Sequence, residues 1–278
     1  MVKLNLDTDP RPLYLLLILV ITVPILGHTI LPVPVSATTR AVYDFIQTLA
    51  ETKPNSLVVL SFDYSTSLVP ELHPQAIVVT EQLFSLPLKV IFVAQWVDGP
   101  ALTDAVLDTI DKGSKKYGVD YVTLGYIPNI ATLIGMTTNI QQFFPVDTRG
   151  NPTSSLPIIQ EFPAAKQASL LVTFTGGEPG VDNYLQYWQT PFGISVAAGA
   201  PAISAPGYMP FYNSGQLVGI LISMKAAAEY EFLINEVDIS GAVSAMVAQS
   251  TSLMLIAILV ILSNIGYVVQ RSRRKGRQ

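Results

Sequence analysis

The chain has 278 residues, half of them hydrophobic and only 13% charged, with a mean hydropathy of +0.43 and a formal net charge of −4. Soluble domains carry about a quarter charged residues, so this composition excludes a disordered chain, a coiled coil and a collagen-like chain and argues against a purely soluble protein. The absence of cysteine removes disulfides, thiolate metal sites and a cysteine nucleophile.

Residues 1–12 form a short polar start in which Lys3 and Arg11 balance Asp7 and Asp9. Residues 13–33 carry no charge, with His28 as the one strongly polar side chain and Pro24 inside the run. About 20 helical residues cross a hydrocarbon core of about 30 Å, so this run is expected to be a first transmembrane helix. It exceeds the roughly 7–15-residue apolar core of a cleaved signal peptide. At the other end, residues 251–270 are again free of charge, and Arg271, Arg273, Arg274, Lys275 and Arg277 follow directly. That pattern predicts a second transmembrane helix with a basic cytoplasmic tail at 271–278, able to meet anionic lipid head groups. Asn264 is the polar position within it.

Residues 34–250 carry nine basic and 18 acidic side chains. An acidic domain between two spans, the second capped by a basic tail, places both termini inside and the domain outside the cytoplasm. Nucleic acid is excluded as a partner, since its binding relies on phosphate neutralisation.

Within this domain Pro32 and Pro34 read as an extended spacer. Thr38 or Thr39 caps a helix over 41–51, with Val42, Phe45, Ile46 and Leu49 on its apolar face. Apolar strands are predicted at 56–62, 88–95, 119–125, 168–175 and 193–198. Between them fall helices at 74–86, from Gly99-Pro100 (capped by Asp98 and ended by Gly118), at 129–144 and at 180–189. A long final helix spans 212–234, with Leu217, Ile220, Leu221 and Met224 on one face. Residues 145–167 read as a proline-punctuated surface excursion. Continuous apolar strands are buried on both faces, as in parallel sheets. The fold class is therefore α/β, a five-stranded, mostly parallel, doubly wound three-layer domain of Rossmann-like or flavodoxin-like architecture, flanked by two transmembrane helices.

In such sheets ligands bind outside the carboxyl ends of the strands. The residues expected there are Asp63, Tyr64 and Ser65 after the first strand, Trp96 and Asp98 after the second, and Tyr126 and Asn129 after the third. Gly176, Gly177, Glu178 and Asp182 follow the fourth, and Gly199 the fifth. An aspartate ending the first strand suits a nucleophile or a magnesium ligand, but the carboxylate a phosphatase-type loop needs two positions on is Ser65. The same loop lacks the glycine of a phosphate-cradling flavin site. Amide groups near Gly180 could hold an anion, which Glu178 would repel. His73 is the sole domain histidine, no G-x-S-x-G elbow is present, and no zinc-ligand spacing occurs. No cofactor and no metal are expected. Tyr208, Phe211 and Tyr212 lie among prolines, as rings that could dock on a partner, a bilayer or their own core.

These features predict a two-pass membrane protein whose outward α/β domain is a non-enzymatic subunit or scaffold. Its partners would be the lipid bilayer and either a membrane-protein partner or a second copy. A tethered small-ligand sensor is the alternative, and an Asp63-dependent metal hydrolase the third reading.

Overall fold

The structure, a computed structural model, describes residues 11–26, 34–234 and 241–275. They fall into two compact units, one within 33–236 and one made of the two ends of the chain.

The larger unit is a six-stranded parallel sheet with helices on both faces. Helix α2 (Ala37–Thr52) starts at Ser36, whose Oγ accepts from the Thr39 amide at 3.4 Å. The cap is thus Ser36 rather than Thr38 or Thr39. Strands β1 (Leu57–Asp63), β2 (Lys89–Ala94), β3 (Tyr121–Tyr126), β4 (Leu170–Thr175), β5 (Ser195–Ala200) and β6 (Leu217–Ile222) lie in the order β3-β2-β1-β4-β5-β6, every pair parallel. All seven residues of β1 are buried, as double-sided coverage requires.

One face is covered by α2, α3 (Val69–Ser85), α4 (Gly99–Thr109) and α11 (Ser223–Ile234). There Phe62, Phe92 and Phe174 from three adjacent strands pack ring to ring, and Phe84 of α3 joins Phe92. The other face buries Leu57, Val59, Ile91, Val122 and Leu171 beneath α5 (Ile130–Gly135), α6 (Ile140–Phe143), α7 (Pro157–Glu161), α8 (Val181–Tyr184) and α10 (Ala205–Asn213). Helix α8 continues through a π turn at Leu185–Gln189 into α9 (Thr190–Phe192).

Five sequence expectations change. The sheet has six strands, because 212–234 is not one helix: Gly215 at φ +78° ends α10, and Ser223 at φ +61° separates β6 from α11. The helix expected at 129–144 is two short ones, each started by an asparagine carboxamide, Asn129 for α5 and Asn139 for α6. Asp98 holds the N-cap position of α4 as expected, but its carboxylate does not cap the helix; Oδ2 accepts instead from the Thr66 amide at 3.2 Å. Gly118 does not end α4, which stops at Thr109; it sits at φ +77° in the approach to β3. The 145–167 segment is a packed layer rather than a loose excursion. Leu156, Ile158 and Ile159 are buried, and Asp147 accepts from the Arg149 and Asn151 amides, the Asn151 carboxamide and the Tyr117 hydroxyl at 2.8–2.9 Å. This layer carries the chain from the β3 edge back over β2 and β1 to β4.

In the smaller unit, α1 (Arg11–Leu26) packs along α12 (Gly241–Lys275), and the Thr251 hydroxyl reaches the Val20 carbonyl at 3.4 Å. Among the described residues one helix, not two, is long and apolar enough to cross a membrane, over Val247–Tyr267. The sixteen residues of α1 rise about 24 Å at 1.5 Å each, short of the hydrocarbon thickness. The rest of the expected first span, His28 included, lies outside the described residues.

Candidate functional site

The strand order reverses between β1 and β4, the point where doubly wound sheets open a crevice. Here the crevice lies over the carboxyl ends of β1, β2, β3 and β4. One open cleft of about 340 Å3 is lined by Gln95, Trp96, Val97, Asp98, Tyr126, Glu178 and Pro179. A second, of about 180 Å3, shares Gln95, Tyr126 and Pro179 with it and extends along Pro128, Asn129, Ile130 and Asn183.

Asp63 lies beneath this crevice, not in it. It is 0% exposed, and both carboxylate oxygens are engaged. Oδ1 accepts from the Gln95 amide at 2.6 Å and the Ser61 hydroxyl at 2.7 Å, and Oδ2 accepts from the Thr173 hydroxyl at 2.7 Å. The Tyr184 hydroxyl donates in turn to Ser61 Oγ at 2.7 Å. Burial raises the Asp63 carboxyl from 3.8 to about 6, against the opposing pull of its hydrogen bonds. Tyr184 is pushed upward by burial and then by the Asp63 charge. The network ties β1, β2, β4 and α8 together and fixes the backbone at Gln95, where the crevice begins.

Gln95 is nine-tenths buried and forms the floor common to both clefts. Its Oε1 accepts from Asn183 Nδ2 at 2.9 Å. Its Nε2 lies near enough to Asp63 to favour the ionised carboxylate but makes no hydrogen bond. Trp96 is locked in place by its indole N–H, which donates to the Pro179 carbonyl at 2.9 Å. Glu178 is raised, first by its hydrogen bond with Asp182, then by burial and by the Asp182 charge. Tyr208 of α10 is raised by burial, with Asp182, Glu178 and Asp63 adding to the shift.

Of the residues expected at the strand ends, Trp96, Asp98, Tyr126 and Glu178 line the first cleft together, and Asn129 lines the second. Tyr64 is fully buried, with its hydroxyl 3.0 Å from His73 Nδ1. Burial lowers His73 below its ordinary value. Ser65 is spent on the Ser67 hydroxyl at 2.7 Å. Gly176 lies under Leu68, whose Cδ1 stands 2.3 Å from where a Cβ would fall, and Gly177 sits at φ +153°. Both shape the turn rather than offer a ligand group. Gly199, on β5, packs against Gln75 and Phe174 and lines neither cleft. Gln95, Val97 and Pro179 were not evident from the sequence, since nothing in their spacing distinguishes them; only the strand order brings them together.

The charge around the site is one-sided. The turns after β1 to β5 hold Asp98 and Glu178 and no lysine or arginine. Lys53, Lys89, Lys112, Lys115, Lys116 and Lys166 all precede or begin strands, at the opposite end of the sheet. Among the described residues of this unit two ion pairs occur, Lys89–Asp120 and Lys225–Glu229, and neither lies at the crevice. No group of three or more metal-ligating side chains occurs among the described residues. No protein-family model, curated protein or solved structure matches this chain.

Proposed function

We propose that the protein is a membrane-anchored interaction subunit whose α/β unit docks a protein partner through the crevice at the carboxyl ends of β1 to β4. The observation that carries this reading is the openness of the crevice together with its apolar rim. Val97 is 74% exposed at its lip, Tyr126 39%, and Ile130 stands beside them. Small-molecule sites enclose most of their ligand, whereas exposed apolar groups rimmed by polar ones suit a protein surface. The hydrolase reading finds no support in Asp63, whose carboxylate has no face open to a substrate.

The anchoring half of the reading rests on the Val247–Tyr267 stretch, on its apolar surface (Leu253, Met254, Ile258 and Ile261 all exposed), and on the pairing of α1 with α12. In this scheme both helices cross the bilayer, both termini lie in the cytoplasm beside the basic tail, and the α/β unit lies outside. Purification from membranes in mild detergent tests the proposal. A complex larger than the chain, lost in Val97→Asp without loss of folded protein, is expected. Identical behaviour of wild type and variant contradicts it.

A further inference from the structure

Resting on that docking reading, we infer that the crevice receives the guanidinium side chain of an arginine on a partner protein segment, held between Trp96, Tyr126 and the carboxylates of Asp98 and Glu178. Three observations converge. Two aromatic side chains line the 340 Å3 cleft, and one of them is fixed by its hydrogen bond to Pro179. Two carboxylates line the same cleft, those of Asp98 and Glu178, and Asp182 stands beside the second within hydrogen-bond reach. No basic residue stands in the surrounding turns, and neither ion pair among the described residues of the unit draws on these carboxylates.

Aromatic faces with carboxylates attract organic cations, arginine above lysine, because the planar guanidinium both stacks and pairs. A hard metal ion would need a convergent oxygen cage, and the described residues assemble none. Phosphate and nucleotide ligands are repelled by the same charge. Charge complementarity therefore selects a basic partner segment. The shallowness of the cleft suits one side chain on a longer chain rather than a fully enclosed metabolite.

The chain carries its own reporter. It has two tryptophans, Trp96 in the cleft and Trp188 fully buried with its indole bound to the Leu133 carbonyl. Full-length protein in detergent is titrated with a capped pentapeptide containing one central arginine, and tryptophan emission is followed in the Trp188→Phe background. Saturable quenching is expected, weakening as salt is raised. The same peptide with citrulline, neutral and nearly isosteric, is expected to bind at least about tenfold more weakly, equivalent to about 1.4 kcal/mol. Asp98→Asn with Glu178→Gln is expected to do the same to the arginine peptide. Equal affinity for the citrulline peptide overturns the inference without requiring any variant of the crevice to fold. Binding of agmatine at concentrations where the peptide is silent overturns the peptide source in favour of a small ligand. If the arginine peptide fails while the Val97-dependent complex persists, the docking reading stands and the arginine assignment falls.

Discussion

Asp63 is the residue at which chemistry and stability pull apart. Its carboxyl is raised from 3.8 to about 6 by burial, so the folded state holds a proton that the unfolded state has already released between those values. The contribution of this group to stability is greatest below about pH 4, declines as pH rises through about 6, and is flat above. A rise of that size corresponds to about 3 kcal/mol lost by about pH 7. Denaturant titrations of wild type and Asp63→Asn at about pH 4 and about pH 7 measure this. The stability difference between the two proteins is expected to move by about that amount in favour of the variant as pH rises, and parallel pH curves contradict it. A fold that retains so unfavourable a group does so here to hold the Gln95 amide, and with it the lip of the crevice. Gly99 sits tight against the ends of β1 and β2. A Cβ there would lie 2.2 Å from Ala94 Cβ and 2.4 Å from the Phe62 carbonyl oxygen. Gly99→Ala must push α4 away from the ends of β1 and β2, and thermal melting is expected to show a loss of about 1–3 kcal/mol or more.

Among the elements, α2 and α11 are joined by a buried carboxylate. Glu229 of α11 accepts from the Ser36 and Thr39 hydroxyls, each at 2.6 Å, and pairs with Lys225 at 2.8 Å. Burial pulls this carboxyl up, but Lys225, Ser36 and Thr39 outweigh it, and the net shift is downward. Its contribution is therefore present above the ordinary glutamate range and is lost as pH falls through the lowered folded value. Glu229→Ala leaves two buried or half-buried hydroxyls without an acceptor, at about 1–3 kcal/mol for each that cannot turn elsewhere. Calorimetry is expected to show a lower melting temperature for this variant at neutral pH and a narrower gap to wild type in acid. The strands differ in how plainly the sequence encodes them. β1 to β5 were legible within two residues at each end, because continuous Val/Ile/Leu runs between polar turns have few alternatives. β6 was not. Leu217, Ile220, Leu221 and Met224 fit a helical stripe as well as a buried strand, and the break is carried by Ser223, whose left-handed backbone has no signature in its side chain. Trp96, Asp98, Tyr126 and Glu178 were legible at the site because they end or closely follow strands. Their meeting with Val97 and Pro179 was not, because it follows from β4 lying beside β1, a fact about topology rather than about any local stretch of sequence.

The whole molecule combines a strongly polarised parallel sheet with two helices that pack on each other. Its acidic crevice end is distinguished from the opposite end by charge as well as by shape, which steers a basic partner toward the crevice and makes its capture sensitive to ionic strength. The membrane arrangement has its own check. Protease added to intact cells is expected to cut within 34–234, and a cytosol-dependent reporter fused after Gln278 to be active; a protected α/β unit contradicts the outward orientation. The docking claim is tested most directly by a photo-crosslinking amino acid placed at Val97, compared with one at Ser114 at the opposite end of the sheet, in native membranes. An adduct of defined mass from position 97 and none from 114 is the expected result, while adducts from 114 alone, or from neither position, contradict the assignment of the crevice as the docking site.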